Sequence, residues 1–284
     1  MKHCVIMTAY HDLPMLRHFV EHIPLDWGIY LHLDRKSSIN ESDLPQRVNV
    51  CKLKKIYWGA WEHLWCFVHM MTIAQQEGRF DYFHLVSGQD YFATPPERFD
   101  KILGNEGHSY IGLFPIPDPN WGWEGGEKIL KYKTLSSYAD IRKTLPRFVN
   151  KLYYLLQKLF GTTQPLPDWE LYGGSVYCSL HSDYVRWVTN SEEASEYLDY
   201  LKNTTCAEEV YLSTLIMNSP YRDRCIQKNL RYDDWSVKPA PKYLNEEDYN
   251  KIISSGCLFC RKLDSVKSAN LLEMLDENLG SDSN

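Results

Sequence analysis

The chain has 284 residues and a formal net charge of -6. No long polar linker divides it, so we predict one compact domain over residues 1–265, followed by a helix or disordered tail over residues 266–284. The acidic balance excludes a general nucleic-acid binder, because phosphate contacts require a broad basic surface. No apolar run is long enough for a signal segment or a membrane span, so we expect a cytoplasmic protein.

The eight cysteines are scattered without a repeated spacing. The pair in CLFC, residues 257–260, has no second Cys or His pair nearby to complete a zinc site. We therefore predict reduced structural thiols.

Strand-like and helix-like segments alternate along the first half of the chain. Short apolar runs predict strands, and amphipathic stretches between them predict helices. The predicted strands are 4–10, 29–34, 48–53 and 81–87, and the predicted helices are 13–23 and 61–76. This alternation predicts an α/β fold with a mostly parallel central sheet flanked by helices.

Polar residues follow three of these predicted strands, where parallel sheets bind their ligands. They are Tyr10-His11, Asp34-Arg35-Lys36 and Ser87-Gly88-Gln89-Asp90. The last group has a second interpretation, a tight turn in which Asp90 caps a helix over residues 95–103. The chain contains neither GxGxxG nor GxxxxGKS, so neither a dinucleotide-binding fold nor a P-loop is indicated.

The second half of the chain has a different pattern of predicted strands and helices. A glycine-led strand is predicted at residues 172–180, a helix near 183–188 and another helix at 204–220. Strand-like segments follow at 229–236 and 257–264, and we expect disorder from Asn278. Thr205 and Glu208 have the spacing of a capping box, which gives Glu208 a structural role and leaves Glu209 without one.

In order along the chain, the segments VIMTAYHD, YLHLDRKS, WGAWE, HLVSGQDYF, YGGSVYCSL, AEEVYLSTLIMNSP and LFCRK cover most of residues 4–263. This series resembles the core-2/I-branching β-1,6-N-acetylglucosaminyltransferase family, which includes peptide O-xylosyltransferases. The resemblance implies an inverting, nucleotide-sugar-dependent glycosyltransferase with a GT-A-like fold and no metal. Residues 1–115 would form the nucleotide-sugar half, and residues 116–265 the acceptor and catalytic half. Because animal members carry a membrane anchor that this chain lacks, we expect a bacterial member that makes surface polysaccharide, with no cofactor besides its UDP-sugar substrate.

The negative charge that develops on the leaving diphosphate can be stabilised without a metal ion. Most GT-A transferases use a divalent ion on a DxD motif, and this chain has no DxD. Fixed cations must then take its place. Arg261 and Lys262 match the family's basic pair, and Arg231 lies in an earlier basic segment with a weaker match. The resemblance further implies that Tyr10, Asp34, Ser87, Gly88 and Asp90 bind the donor.

Glu209 matches the family's catalytic glutamate within AEEVYLSTLIMNSP. An inverting transfer needs one carboxylate to take the proton of the acceptor hydroxyl. Its predicted place in the first turn of a helix favours the ionised form, so we expect a base that is ready at neutral pH.

The acceptor side is predicted from aromatic residues beside carboxylates, a combination that suits the apolar face and polar rim of a sugar ring. The acceptor candidates are Trp123, Glu127, Trp169, Glu170 and Tyr172. Most of the chain's aromatic residues must be packing residues, so core packing is the alternative for each of these.

Residues 127–160 carry eight basic side chains against Glu127 and Asp140. Residues 148–160 also have an apolar face at helical spacing. This combination is typical of a segment that lies on an anionic membrane, where a lipid-linked glycan acceptor would be found. The alternative is a helix whose apolar face packs on the core while its basic face is solvated.

One departure from the family bears on the donor. The xylosyltransferase-like members have Asp directly after GGS, and this chain has Val176 there. This argues against xylosyl transfer and leaves N-acetylglucosamine as the first expectation, with UDP-xylose and UDP-glucuronate as alternatives. A non-catalytic glycan-binding protein is the alternative from another functional class.

Overall fold

The structure, a computed structural model, describes residues 1–238 and 240–281. The strands are β1 (His3–Ala9), β2 (Gly28–Leu33), β3 (Asn49–Cys51), β4 (Tyr82–Ser87), β5 (Asp90–Phe92), β6 (Ser109–Tyr110), β7 (Leu113–Pro115), β8 (Tyr172–Gly174), β9 (Ser179–His181), β10 (Cys225–Ile226), β11 (Arg231–Tyr232) and β12 (Phe259–Arg261). The helices are α1 (Leu13–His22), α2 (Trp61–Glu77), α3 (Phe99–Leu103), α4 (Gly122–Gly125), α5 (Glu127–Lys131), α6 (Thr144–Leu159), α7 (Ser182–Asn190), α8 (Glu192–Tyr200), α9 (Tyr211–Met217), α10 (Tyr249–Ser254) and α11 (Ala269–Ser281).

The main sheet has the strand order β10-β6-β9-β4-β1-β2-β3. Parallel pairing joins β4, β1, β2 and β3, while β9 runs antiparallel to both β4 and β6. In the register of the central strands, Thr8 is opposite both His32 and Ser87, so these strands end at the same edge. The predicted α/β fold with a mostly parallel central sheet is confirmed.

Successive side chains of β1 point to opposite sides of the sheet and pack in two separate layers of the core. Val5 and Met7 pack in one hydrophobic cluster with α1, and Cys4 and Ile6 pack in the other with α2. Every residue of β1 is buried, as expected for a strand covered by helices on both sides.

The predicted strand at residues 172–180 is wrong, because two short strands occupy this region. β8 pairs with β7, while β9 pairs with β4 and β6 in the main sheet. Between them, the Ser175 Oγ accepts a hydrogen bond from the backbone N of Tyr177 at 3.2 Å. This local turn carries the chain from one sheet to the other.

The C-terminal helix α11 continues through Asn278 to Ser281, where disorder was expected. Leu271, Leu272 and Leu275 are buried in the same cluster as Val5, which anchors the helix to the sheet. Residues 282–284 lie outside the described residues.

All eight cysteines are free thiols in the structure, as predicted. No helix in the described part of the chain has the length and apolarity needed to cross a bilayer.

Candidate active site

A cleft of about 710 Å³ opens at the edge of the sheet where β1, β2 and β4 end. These strands contribute Tyr10, Lys36 and Gly88 with their neighbours, and the opposite side is lined by Tyr177 and by the turn that contains Glu209. The structure thus brings the predicted donor-binding loops and the predicted catalytic glutamate into one cavity.

Asp34 lines the cleft, but its oxygens are engaged by this chain. The carboxylate is buried and accepts hydrogen bonds from the backbone N of Lys36 at 2.8 Å and of Ile56 at 3.2 Å. Its other contact is the Lys36 ammonium, at 2.5 Å. Asp34 therefore positions Lys36 as a fixed cation of the cleft.

Lys36 is a cleft cation that the sequence analysis places in a strand-end loop but does not count among the predicted donor cations. Its Nζ lies 5.0 Å from the ring centroid of Tyr10 and 5.1 Å from that of Tyr57. Tyr10 is 51% exposed, so a face of its ring is open to a ligand. The signal was present in the sequence, since Lys36 lies two residues after Asp34 in the same strand-end loop.

Ser87 and Gly88 line the cleft, whereas Asp90 supports the turn from behind. The fully buried Asp90 carboxylate accepts hydrogen bonds from the Ser87 backbone N at 3.1 Å and the Ser87 Oγ at 2.7 Å. A Cβ at Gly88 would lie 2.9 Å from the Cβ of Ala9, so glycine lets the turn pack against the end of β1. Asp90 does not cap the helix at residues 95–103, whose two helical turns have Pro95 and Arg98 as N-caps. Of the predicted donor-binding residues in this turn, Ser87 and Gly88 line the cleft and Asp90 does not.

The predicted basic pair, Arg261 and Lys262, lies behind the residues that line the cleft and does not line it. The Arg261 guanidinium lies 3.8 Å from the ring centroid of Tyr177 and donates to Asp90 at 3.2 Å. Lys262 Nζ lies 5.2 Å from the Tyr243 ring, whose hydroxyl accepts a hydrogen bond from Gln89 at 3.4 Å. Tyr177 and Gln89 line the cleft, so the pair contacts it through these two side chains.

Arg231 does not lie in the cleft as the structure describes it. The side chain is 3% exposed and donates to the carbonyl oxygens of Leu85 at 3.2 Å and Cys178 at 2.6 Å. Burial lowers the pKa of Arg231 to about 10. The predicted donor contact is replaced by a structural role, because this guanidinium satisfies buried carbonyls between β4 and β9.

Glu209 lines the cleft, in a local structure that differs from the predicted helix over residues 204–220. It ends a 3-10 turn, Ala207–Glu209, and α9 begins only at Tyr211. Burial first, and then the charge of Glu208, raise the pKa of Glu209 to about 8. A pKa raised in this way favours the protonated carboxyl at neutral pH in the free protein, whereas the helix position predicted from the sequence had favoured the ionised form.

The Glu209 turn is attached to the start of α2. The backbone N of Cys206 donates to the Gly59 carbonyl at 3.0 Å, and Ala60 forms a bridge with Thr205. Gly59 has φ 67°, a left-handed conformation that favours glycine. Through these contacts, the segment WGAWE helps to fix the position of the turn that carries Glu209.

Glu208 contacts a histidine and not a capping partner. His63 Nδ1 lies 3.1 Å from Glu208 Oε1, and His63 Nε2 lies 3.2 Å from Thr8 Oγ1. The predicted capping box with Thr205 is wrong, because Cys206 occupies the cap position and no side chain caps the turn. His63 was missed because its partner is 145 residues away in the sequence.

A second unpredicted cation lies at the cleft rim. Arg142 donates from Nε and from an NH2 group to the two oxygens of Asp140, at 2.9 Å and 2.8 Å. These charge-assisted bonds lower the pKa of Asp140 to about 2. Lys143, the next residue, also lines the cleft and is exposed.

The family model for the core-2/I-branching enzyme matches residues 4–253. The chain belongs to this family of glycosyltransferases. The resemblance stated from the sequence is confirmed, and with it the GT-A-like fold class. A comparison with solved structures gives the crystal structure of S. aureus TarS 1-349, with 12% identity, a TM-score of 0.31, and coverage of 71% of this chain and 55% of that one. This chain therefore spans little more than half the length of that TarS chain. A comparison with curated proteins finds no match.

Val176, where the xylosyltransferase-like members of the family have Asp, is a core residue here. Its side chain is 3% exposed within the cluster that includes α2 and α9. The following residue, Tyr177, is the one that lines the cleft.

The predicted acceptor residues do not gather in the cleft among the residues that the structure describes. Glu170 pairs with Arg222 at 2.9 Å and accepts from the Tyr172 hydroxyl at 3.1 Å. The Trp169 ring packs 5.1 Å from the buried Tyr197, and Glu127 pairs with Lys131. The Trp123 side chain lies outside the described residues. These contacts favour packing and surface pairing for the four described residues.

Carboxylates in the described cleft lining are Asp34, Asp140, Glu208 and Glu209. The first three contact Lys36, Arg142 and His63, respectively. A separate group with metal-ligand geometry, His18, His22 and Asp276, is formed by residues outside this lining.

Proposed function

We propose that the protein is an inverting, metal-independent glycosyltransferase that moves a sugar from a UDP-sugar to a glycan acceptor with Glu209 as the general base. One observation carries this proposal: Glu209 lines the same cleft as the loops after β1, β2 and β4. A donor bound at those strand ends would have its sugar within the cavity that holds the carboxyl group.

The chemistry requires one base and no protein nucleophile. In a single displacement the acceptor oxygen attacks the anomeric carbon as its proton passes to a carboxylate, and the diphosphate leaves with the bonding electrons. A carboxyl with a pKa of about 8 is a stronger proton acceptor than an ordinary glutamate, once it is ionised. Burial thus increases the basicity of Glu209 and reduces its ionised fraction at pH 7.

Donor recognition is proposed to use the exposed Tyr10 ring and fixed cations. Tyr10 offers an aromatic face on which the uracil ring of the donor can stack, and Asp34 holds Lys36 beside Tyr10. Arg261 and Lys262 support the far side through Tyr177 and Gln89, and they match the family's basic pair. Positive charge in place before the reaction stabilises the leaving diphosphate without a metal.

The donor sugar is proposed to be N-acetylglucosamine, transferred with formation of a β-linkage in the synthesis of surface polysaccharide. The buried Val176 supports this choice over xylose, because the xylosyltransferase-like members have a carboxylate at that position. UDP-xylose and UDP-glucuronate remain the alternative donors. A non-catalytic glycan-binding protein would have no use for a cleft glutamate with a raised pKa.

The test is UDP release from a panel of UDP-sugars, with and without a glycan acceptor, in excess EDTA. We expect slow hydrolysis of one donor, unaffected by EDTA and strongly reduced in Glu209→Gln. Loss of turnover in EDTA with rescue by Mn²⁺ would refute metal independence. Turnover of no UDP-sugar by a folded sample that binds glycans would favour the non-catalytic alternative.

A further inference from the structure

Helix α6 presents its apolar side to solvent. The exposed apolar residues recur at the spacing of one helical face, and the largest exposures are 76% at Leu159 and 71% at Leu145. This apolar face comprises Leu145, Phe148, Val149, Leu152, Leu155, Leu156 and Leu159, and is continued by Phe160. The alternative predicted from the sequence, an apolar face packed on the core, is therefore wrong.

Polar side chains hold the inner side of α6. The buried Asn150 accepts a hydrogen bond from the backbone N of Leu135 at 2.9 Å. The buried Gln157 accepts from the backbone N of Lys133 and donates to its carbonyl, both at 2.9 Å. Turning the apolar face inward would break these bonds and leave backbone groups of residues 133–135 unpaired. The outward orientation is thus fixed by the fold.

Positive charge accompanies this apolar face. Between Asp140 and Asp168 the sequence contains no acidic residue, although the whole chain has a net charge of -6. The basic residues of this interval are Arg142, Lys143, Arg147, Lys151 and Lys158. At helical periodicity Arg147, Lys151 and Lys158 follow one border of the apolar face. Their long side chains can reach outward to anionic groups while the apolar residues are covered.

We propose that α6 docks the protein on an anionic membrane, with its apolar face in the boundary between headgroups and acyl chains and its basic border on the headgroups. An exposed apolar stripe with adjoining Lys and Arg fits this position of an interfacial helix. A second copy of the chain is a poorer partner, because an antiparallel two-fold contact through this face would place two basic borders on the same side, where anionic headgroups would instead neutralise them.

Docking would place the cleft at the membrane surface. Asp140, Arg142 and Lys143 line the cleft, and α6 begins at the next residue, Thr144. An acceptor anchored in lipid would then present its glycan at the rim that these residues form. This part rests on the proposed function and names a lipid-linked glycan as the acceptor class.

The test is co-sedimentation of the full chain with vesicles of phosphatidylcholine, with and without phosphatidylglycerol, in the absence of any sugar nucleotide. The chain should pellet with the anionic vesicles. Replacing Leu152, Leu155 and Leu159 together by Gln should weaken binding about tenfold or more, because apolar burial is lost. These side chains are 47%, 64% and 76% exposed, so the variant should fold.

Matched controls separate apolar insertion from general surface effects. Leu25→Gln with Val266→Gln alters side chains that are 90% and 81% exposed elsewhere, and should leave vesicle binding unchanged. Lys151→Gln with Lys158→Gln should weaken binding to anionic vesicles about tenfold and make it less sensitive to salt.

Three outcomes would overturn the proposal. The first is that the parent chain does not pellet with anionic vesicles, and the second is that the α6 triple variant pellets as well as the parent does. The third is a dimer in light scattering that this variant converts to a monomer while neither binds vesicles, which would identify an interface between copies. Because vesicle binding is measured without donor, it succeeds or fails independently of UDP release.

Discussion

His63 Nδ1 lies 3.1 Å from Glu208 Oε1, and this contact joins the helix after WGA to the turn that carries Glu209. The imidazole gives Glu208 a partner, whereas burial and the charge of Glu208 raise the pKa of Glu209 to about 8. Two adjacent glutamates of the same turn therefore have different surroundings.

Glu209→Gln should reduce transfer about a hundredfold or more with little change in donor affinity. The substitution keeps the shape of the protonated side chain and removes its ability to accept a proton. Steady-state kinetics with the identified donor would measure it, and Glu208→Gln is the adjacent control, which should keep most of the activity. If Glu208→Gln is the inactive variant and Glu209→Gln is active, the assignment of the base is wrong.

The kcat/KM of the parent should rise with pH towards a plateau above about 8. Only the ionised Glu209 accepts a proton, so the rate should increase about tenfold per pH unit below the pKa. Glu208→Gln removes the nearby charge that helps to raise this pKa, and should move the rise to lower pH. Glu193→Gln, at an exposed position of α8, should leave the profile in place. A flat profile between pH 6 and 9 would contradict the role of Glu209.

Glu209→Gln should stabilise the protein more at pH 8 than at pH 5. The folded state keeps a proton on Glu209 up to about pH 8, whereas the unfolded carboxyl loses it near 4.5. The parent's free energy of unfolding therefore falls as pH rises between these values, by on the order of a few kcal/mol, and Gln removes that loss. Urea unfolding at both pH values would measure the difference. An equal effect at both values would show that the carboxyl is not buried as described.

Lys36→Met should raise the KM for the donor about tenfold with a smaller effect on kcat, because a fixed cation next to Tyr10 is lost. It should also lower the Tm, since the buried Asp34 loses its partner. Arg35→Met, at the exposed neighbouring position, is the matched control. Equal donor KM values for the two variants would exclude Lys36 from donor binding.

The strands that build the cleft were predictable because each is a short apolar run with polar residues at its end. β1, β2 and β4 begin and end within one residue of their predicted positions. The apolar face of α6 was also visible in its periodicity. Which side of α6 faces the core was not, because it depends on hydrogen bonds from Asn150 and Gln157 to distant backbone groups.

The turn that carries Glu209 shows where sequence patterns stop being informative. Residues 204–220 have a helical pattern, yet Cys206 has φ 50° and the helix starts at Tyr211. That conformation is accompanied by the contact between Cys206 and Gly59, which no local pattern encodes. The raised pKa of Glu209 follows mainly from desolvation in the cleft, a property of the assembled fold.

The anchoring of α11 affects how the chain can be made in a cell. Leu271 and Leu275 of α11 belong to the hydrophobic cluster that contains Val5 and Met7 of β1. The packing around β1 is therefore complete only after α11 has folded onto it. A ribosome releases α11 after every strand of the sheet, and until then the cluster around Val5 lacks the leucines that this helix contributes. Contacts of such long sequence separation slow folding and leave the nascent chain open to aggregation. Folding yield during expression should therefore depend on chaperones that protect the sheet until α11 has emerged.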